Sequence, residues 1–222
     1  MTIGKVDEVV EIELVNYFIK GNIALTKVDE DYPDNKLSGA VFEVYSDTNG
    51  DGKLDKDDTL LGEMKELDGG VYQMSELRYG KYLVKETKAP TGFVLDENVY
   101  SVSVEENGKT YTVENKAGVG FINAAQKGSL KIVKTSSDGK VEGFSFRVTG
   151  VDYDQTFKTD KNGEIVIEGL RIGDYTVSEV SDKASAGYIL PADKQATVKV
   201  DATAIVQMHN AVSYTHLTLP TI

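Results

Sequence analysis

The 222-residue sequence lacks cysteine and tryptophan altogether and contains only two histidines, His209 and His216. The absence of cysteine excludes disulfide bonds, thiolate zinc sites and cysteine nucleophiles. Two histidines also disfavour a histidine-based catalytic triad or a multi-histidine metal centre. No run approaches the roughly 18 apolar residues that a membrane span requires. The first residues, MTIGKVDEVVEIEL, have neither the basic region nor the apolar core of a signal peptide.

Positive charge is also scarce. The chain has 24 Lys and Arg against 36 Asp and Glu, which gives a net charge of −12 at pH 7. Nucleic acids and anionic membranes need clustered basic surface, so neither is expected as a partner. A hydrophobic content of 40%, with 21 glycines and 4 prolines, fits a folded, strand-rich chain rather than a disordered one.

Short runs of alternating apolar and polar residues, separated by turn dipeptides, predict antiparallel β-strands. The clearest runs are Tyr82-Leu83-Val84, Val102-Ser103-Val104, Lys131-Ile132-Val133 and Ile165-Val166-Ile167. Asn107-Gly108, Asp138-Gly139 and Asn162-Gly163 are predicted hairpin turns, because these residue types tolerate positive φ. No segment has the periodicity of an amphipathic helix of normal length, so the predicted class is all-β.

The chain repeats itself. GVYQMSELRYGKYLVKE, from Gly70 to Glu86, aligns without a gap on GEIVIEGLRIGDYTVSE, from Gly163 to Glu179. LSGAVFEV likewise matches VEGFSFRV, and NYFIKGNIALTK matches NAAQKGSLKIVK. Self-similarity of this kind predicts two complete domains, over residues 21–125 and 126–211.

Both ends of the chain fall outside these repeats. Residues 1–20 are predicted to be the last strand of a preceding, truncated repeat, which would make the chain a fragment. Residues 212–222, VSYTHLTLPTI, resemble the translated read-through of a transposon-type sequencing adapter. We therefore predict that this tail is non-native and exclude it from the fold.

Three types of polar residue continue rows of inward-facing apolar residues, because alternate strand residues share one face. Each type recurs at matching positions of both repeats. They are Lys27 and Lys134, Glu86 and Glu179, and Asn123 and Asn210. Any one of them alone would be better explained as a strand end emerging into solvent. Burying each singly would cost several kcal/mol, so the repetition predicts that they satisfy one another in the core.

A buried lysine, glutamate and asparagine could react together. Desolvation favours the neutral, nucleophilic form of the amine and the protonated form of the carboxyl group. Attack of the amine on the asparagine carbonyl, with the glutamate relaying protons, would expel ammonia and leave a Lys–Asn isopeptide bond. This single-turnover chemistry requires only proximity and a dry site.

The motifs around these residues resemble the collagen-adhesin B-type family, Cna-B or SpaA-like, of Gram-positive surface proteins and pilins. The resemblance covers KVDEDYPDNKLSGAVFEVY, YLVKETKAPTGF and FINAA in the first repeat, and KTSSDGKVEGFSFRV, YTVSEVSDKASAGY and MHNA in the second. It implies two tandem prealbumin-like β-sandwich domains preceded by the last strand of another. It also implies Lys27–Asn123 and Lys134–Asn210 crosslinks, catalysed by Glu86 and Glu179. The second repeat departs from the pattern, with Ala184-Ser185-Ala186 where the first has Lys88-Ala89-Pro90.

A second motif, DTNGDGKLDKDD at residues 47–58, has the spacing of an EF-hand calcium loop, with Gly52 at the sharp turn. The predicted ligands are Asp47, Asn49, Asp51, Asp55, Asp58 and the backbone carbonyl of Lys53. The closing position is Asp rather than Glu, and strands flank the loop where an EF-hand has helices. The other interpretation is an acidic surface loop. The second repeat has no such insertion.

The sequence favours a stalk or shaft segment of a bacterial cell-surface adhesin or pilin over two other functions. The first is an adhesin module that binds a host matrix protein or glycan through exposed aromatics; its candidates are Tyr72, Tyr79, Tyr100 and Tyr111. The second is an accessory domain of an enzyme, although no catalytic motif is present. The expected partners are neighbouring repeats, sortase, other pilus subunits and host matrix. The expected location is the Gram-positive cell wall, with the signal and anchor outside this sequence.

Overall fold

A computed structural model describes residues 12–213, and within this range the chain forms seventeen strands and no helix. The all-β prediction is therefore confirmed. No helix long and apolar enough to cross a membrane occurs among these residues. The chain divides into two compact units, which over the described range comprise residues 12–90 with 95–123 (unit 1) and residues 91–94 with 124–213 (unit 2). The division after residue 123 lies close to the predicted one after residue 125.

Unit 1 contains nine strands in two sheets. Their bounds are β1 Lys20–Asp29, β2 Val41–Ser46, β3 Thr59–Glu63, β4 Lys65–Glu66, β5 Val71–Arg78, β6 Gly80–Lys88, β7 Val99–Val104, β8 Thr110–Thr112 and β9 Phe121–Asn123. One sheet has the order β4-β5-β1-β8, with β9 also paired to β1, and the other has the order β3-β2-β6-β7. The first strand, β1, runs parallel to β8 and β9, whereas its other neighbour is antiparallel.

Unit 2 repeats this plan with eight strands. Their bounds are β10 Lys127–Ser136, β11 Ser145–Gly150, β12 Tyr153–Lys158, β13 Glu164–Arg171, β14 Gly173–Val180, β15 Tyr188–Ile189, β16 Lys194–Val198 and β17 Thr203–Val212. The sheet orders are β13-β10-β17-β15 and β12-β11-β14-β16. The first strand, β10, again pairs in parallel with the last strand, β17.

Each unit buries its core between its own two sheets. In unit 1, alternate residues of β1 and β2, such as Ile23, Leu25, Phe42 and Val44, are at most 1% exposed. Phe42 packs edge-on against Phe121, with ring centroids 4.9 Å apart. Unit 2 buries the equivalent rows from β10, β11 and β14. The predicted β-sandwich is therefore confirmed in both halves of the chain.

The predicted hairpin turns form, but they do not connect hairpins. Gly108, Gly139 and Gly163 have φ between 76° and 82°, as tight turns require. However, the strands on either side of each turn belong to different sheets of the same unit. These turns are arches across the sandwich, because a local chain reversal does not determine which sheet the next strand joins.

The predicted strand over residues 1–20 is not seen in residues 12–19, which have no regular secondary structure. The side chains of Ile12 and Leu14 are 71% and 87% exposed. A strand needs a hydrogen-bonded neighbour, and no strand of either unit pairs with this segment. Residues 1–11 and most of the predicted non-native tail, residues 214–222, lie outside the described residues, so their assignments stay predictions.

Candidate functional site

The lysine of unit 1 lies in the core because β1 alternates strictly. Its side chain follows Ile23 and Leu25 on the inner face and is 0% exposed. In the parallel pair with β9, Lys27 is opposite Phe121, and the residue opposite Asn123 is Asp29. The asparagine is therefore one inward position further along the neighbouring strand, within reach of the long lysine side chain. Asn123 is 3% exposed.

The glutamate comes from the facing sheet. Glu86 lies on β6 opposite Phe42 of β2, and its side chain is 0% exposed. Both of its carboxylate oxygens accept hydrogen bonds of 2.9 Å from Nδ2 of Asn123. Oε1 lies 4.0 Å from Nζ of Lys27. The lysine ammonium itself donates to the carbonyl oxygen of Phe121 at 2.9 Å. The three predicted side chains of unit 1 therefore meet between the two sheets.

Burial controls the ionisation of this set. Desolvation lowers the pKa of Lys27 to about 8, against the opposing attraction of Glu86 and Asp96. Desolvation also raises the pKa of Glu86, although the backbone N–H of Asp96 and the amide of Asn123 oppose the shift. Both shifts favour the neutral forms, which are the nucleophilic amine and the proton-carrying carboxyl group.

The asparagine amide presents its NH2 group, not its carbonyl oxygen, to the glutamate. Its NH2 group faces Glu86, and its buried Oδ1 has no hydrogen-bond partner within residues 12–213. An ionised carboxylate can only accept, so it attracts the NH2 group. A protonated carboxyl group would instead donate to Oδ1, which requires the amide to rotate by half a turn about its Cβ–Cγ bond. The orphaned carbonyl oxygen is thus the group that a protonated Glu86 would polarise.

Unit 2 contains the same three side chains in the same register. Lys134 is opposite Met208 of β17, and Asn210 lies two residues further on. Glu179 is opposite Phe146, the counterpart of Phe42. Lys134 and Asn210 are 1% and 0% exposed.

The contacts in unit 2 are fewer. Nδ2 of Asn210 donates to Oε1 of Glu179 at 2.6 Å, while Oε2 of this glutamate has no partner among the described residues. Nζ of Lys134 donates to the carbonyl oxygen of Thr135 and lies 4.2 Å from the Phe144 ring centroid. Burial lowers the pKa of Lys134 and raises that of Glu179. Oδ1 of Asn210, like that of Asn123, lacks a hydrogen-bond partner in the part of the chain that the structure describes.

Each set contains the groups that isopeptide formation needs. In that reaction a neutral amine would attack Cγ of the asparagine, a new C–N bond would form, and Nδ2 would leave as ammonia after taking a proton from the amine through the glutamate. The carboxyl group is regenerated, so the step balances without any cofactor. In unit 1 the three side chains are buried, which keeps bulk water away from the reacting atoms.

Two residues that the sequence did not single out complete the site in unit 1. The backbone N–H of Asp96 donates to Oε2 of Glu86 at 2.8 Å. The side chain of Asn115 accepts from the N–H of Ile122 at 2.6 Å and donates to the carbonyl oxygen of the same residue at 2.9 Å. It also donates to the carboxylate of Asp96 at 2.8 Å. Neither residue belongs to an alternating row, so no periodicity reveals them.

The acidic loop between β2 and β3 forms the predicted turn. Gly52 has φ of 75°, and the carboxylate of Asp47, which is 7% exposed, accepts from the backbone N–H groups of Gly50 and Gly52. Oδ1 of Asp51 accepts from the N–H of Lys53. Asn49 and Asp58 likewise bond within the loop, and Asp55 accepts from the Asn49 amide. Among residues 12–213, no group of three or more acidic or histidine side chains converges closely enough to hold a metal ion.

The aromatic residues considered for ligand binding do not form an exposed cluster. Tyr72 is 1% exposed, and Tyr100 and Tyr111 pack against the core of unit 1. Only Tyr79 of these four is largely exposed, at 64%. They are mainly packing residues, as strand alternation favours.

The chain was compared with known families, curated proteins and solved structures. The family model for the SpaA prealbumin-like fold domain matches residues 21–117 and 128–212. No protein with a curated description matches.

Among solved structures, the Bacillus anthracis TIE protein is similar, with 25% identity and a TM-score of 0.64, over 88% of this chain and 34% of that one. The pilus adhesin SpaC of Lactobacillus rhamnosus GG has 14% identity and a TM-score of 0.52, over 88% of this chain and 31% of that one. The minor pilin GBS52 of Streptococcus agalactiae has 16% identity and a TM-score of 0.40, over 91% of this chain and all of that one. The chain thus spans about a third of the length of TIE and SpaC. Because the family model matches most of the sequence in two segments, the chain belongs to the SpaA prealbumin-like domain family and contains two such domains.

Proposed function

We propose that this chain is a load-bearing segment of a Gram-positive surface or pilus protein, in which each unit is closed by a Lys–Asn isopeptide bond. The observation that carries the proposal is the recurrence of one Lys, Glu and Asn set, in the same strand register, in both units; all of its members are buried except Glu179, which is half-buried. A single such set could be a structural ion pair. Two equivalent sets, each with an asparagine carbonyl oxygen that has no partner among the described residues, favour a shared chemistry.

The geometry supports self-crosslinking rather than turnover of an external substrate. The side chains of Lys27 and Glu86 are 0% exposed, which leaves no access for a second molecule. The reaction also consumes its own lysine and asparagine. The chemistry is therefore a single maturation step, in keeping with the structural proteins of this family.

Strand order supports a mechanical role. In each unit the chain enters through the first strand and leaves through the last, and these two strands are parallel neighbours. Tension on the chain would shear them against each other. A covalent bond between the two strands would carry that load directly and remove the intervening residues from the path of the force.

Intact-mass spectrometry of the purified chain tests the proposal. We expect the mass to be lower than that of the sequence by two molecules of ammonia, one for each unit. Glu86→Gln and Glu179→Gln should each restore one ammonia, because the isosteric amide cannot relay the proton. Peptide mapping should find Lys27 joined to Asn123 and Lys134 joined to Asn210. A folded protein of full sequence mass would contradict the proposal.

The proposed setting follows from the same function. We expect the chain to be displayed outside the cell, next to further repeats of the same polypeptide and to other pilus or surface subunits, and attached by sortase. Fractionation of the native host, with antibody detection on intact cells and in the released cell wall, tests this location. Detection in the cytoplasm alone would contradict it.

We also propose that the acidic loop of unit 1 binds one calcium ion. The left-handed Gly52 and the partly buried Asp47 support an EF-hand-like loop, but the carboxylates now bond to backbone N–H groups. Binding would require the exposed side chains of Asp51 and Asp55 to rotate towards a common centre. Calorimetric titration with Ca²⁺ should give one site, and Asp51→Asn should weaken it. Asp57→Asn, outside the ligand spacing, is the control. An absence of binding heat at millimolar Ca²⁺ would contradict this proposal.

A further inference from the structure

The two sets differ in how the glutamate is held. In unit 1, Oε2 of Glu86 accepts the backbone N–H of Asp96 at 2.8 Å. The fixed N–H stabilises negative charge on Oε2 and occupies one of its lone pairs, so protonation of Glu86 is favoured on Oε1. Both oxygens lie 2.9 Å from Nδ2 of Asn123, and Oε1 is the one that lies 4.0 Å from Nζ of Lys27. The N–H therefore directs the proton to the reacting groups.

The asparagine strand is also held differently. Strand β9 has only three residues, and the side chain of Asn115 bonds both to the N–H and to the C=O of Ile122. The side chain of Asn115 thus makes the two backbone hydrogen bonds that a neighbouring strand would make, at the residue before Asn123. The same side chain donates to the carboxylate of Asp96, so the groups that fix Asn123 and Glu86 are joined to each other.

Tyr100 connects this pair to the lysine. Its hydroxyl donates to Asp96 at 2.7 Å, and its ring packs on Phe121 with centroids 5.1 Å apart. The carbonyl oxygen of Phe121 accepts the lysine ammonium. Glu86 thus contacts Asp96 directly, Asn123 follows the residue that Asn115 holds, and Lys27 is linked to Asp96 through Phe121 and Tyr100.

Unit 2 has no counterpart of this arrangement among its described residues. GFVLD, from Gly92 to Asp96, corresponds to GYILP, from Gly187 to Pro191. Proline has no backbone N–H to donate, and Oε2 of Glu179 has no hydrogen-bond partner in the described range. Lys134 bonds to its own neighbour, Thr135, instead of to the opposite strand.

We propose that Asp96, through its backbone N–H, and Asn115, through its side chain, are positioning residues for isopeptide formation in unit 1, and that unit 2 crosslinks more slowly because it lacks them. This inference rests on the proposed isopeptide function. Neither residue reacts. The N–H of Asp96 influences which oxygen of Glu86 carries the proton. The side chain of Asn115 fixes the backbone next to Asn123, so that the amine can attack the amide carbon.

The experiment is a time course on the full chain made by cell-free synthesis. Samples are quenched in denaturant, and peptide mapping gives the crosslinked fraction of each unit, so that unit 2 is an internal control. We expect unit 1 to react about tenfold faster than unit 2, the effect of losing one hydrogen bond to a reacting group. Asn115→Ala and Asp96→Pro should slow unit 1 to about the rate of unit 2 and leave unit 2 unchanged.

Conservative variants separate positioning from general stability. Asp96→Asn keeps both the backbone N–H and a side-chain oxygen, so it should retain the fast rate. Tyr111→Phe removes a hydroxyl that accepts two backbone N–H groups elsewhere in unit 1, and it should leave the rate unchanged. If Asp96→Pro does not fold, as judged by circular dichroism, the crosslinking rate of unit 1 in Asn115→Ala tests the positioning role.

The outcomes distinguish this inference from the function on which it rests. Equal rates in the two units of the wild type, or an unchanged rate in folded Asn115→Ala, would overturn the positioning role alone. An absence of ammonia loss from either wild-type unit would overturn the proposed crosslinking itself. A slow rate in Asp96→Asn equal to that of Asp96→Pro would assign the effect to the carboxylate and contradict the role of the N–H.

Discussion

A lysine buried in a β-sandwich core is costly, and the structure indicates how the cost is met. Lys27 has one carbonyl acceptor and a carboxylate oxygen at 4.0 Å, which is a poor match for three ammonium protons. Burial consequently lowers its pKa to about 8. Conversion of the amine into a secondary amide would remove this charge altogether. At the residue scale, the proposed reaction therefore removes the buried charge whose desolvation lowers the pKa of Lys27 and makes its amine nucleophilic.

This leads to a prediction about pH. In Asn123→Ala the crosslink of unit 1 cannot form, so Lys27 remains an amine. Its folded pKa of about 8 lies below the unfolded value of 10.5, and between these values the unfolded chain binds more protons. The free energy of unfolding of unit 1 should therefore rise by about 2 kcal/mol from pH 8 to pH 10. Denaturant titrations at several pH values measure this free energy of unfolding.

The control removes the titrating group. Lys27→Met combined with Asn123→Ala should show no such rise, because methionine fills the same volume without a charge. The range ends at pH 10 because burial raises the pKa of several folded tyrosines above the ordinary value of 10.0, and their ionisation on unfolding opposes the trend at higher pH. A rise of equal size in both variants would show that another group is responsible.

At the scale of the strand, both first strands begin with the same irregularity. The pairing register shifts between Gly21 and Ile23 in β1 and between Gly128 and Leu130 in β10. A β-carbon on Gly128 would lie 2.1 Å from the carbonyl oxygen of Lys199, and one on Gly21 would lie 2.8 Å from that of Lys109. Glycine is required here because another backbone segment crosses the strand at close range.

We predict that Gly128→Ala destabilises unit 2 by about 1–3 kcal/mol, the usual effect of overpacking. Backbone atoms cannot move aside as a flexible side chain can, so the strand itself must shift. Thermal unfolding of the variant checks this. Gly80→Ala is the matched control, since its β-carbon would meet nothing nearer than 3.8 Å. Equal melting temperatures for Gly128→Ala and the wild type would contradict the prediction.

At the scale of the whole molecule, the proposed bonds replace disulfides in a chain that has no cysteine. The bonds would close loops of about 96 and 76 residues, and by analogy with disulfides each is worth roughly 4–5 kcal/mol. We therefore expect Lys27→Met and Lys134→Met each to lower the melting temperature of the unit that they affect. The uncrosslinked unit should also become sensitive to protease.

Calorimetry and limited proteolysis, with and without reductant, measure this effect. The wild type should be unaffected by reductant, because an amide bond is not reduced. Lys131→Met is a control, since that lysine is only about 31% exposed but faces outward, in an ion pair with Glu164. If Lys27→Met and Lys131→Met behaved alike, the covalent contribution would be disproved.

The sequence alone determined the fold class, the repeat and the residues of both buried sets. These follow from the alternation of strand residues between two faces. A Lys, Glu or Asn that continues a row of inward-facing apolar residues can be recognised without coordinates. Only the tertiary structure decided which sheet each strand joins. The predicted hairpin turns therefore proved to connect strands of different sheets. It also brought Asp96 and Asn115 to Glu86 and Asn123. Their contacts use a backbone N–H and a loop side chain, and neither leaves a periodic pattern, because such contacts depend on how the chain returns in three dimensions.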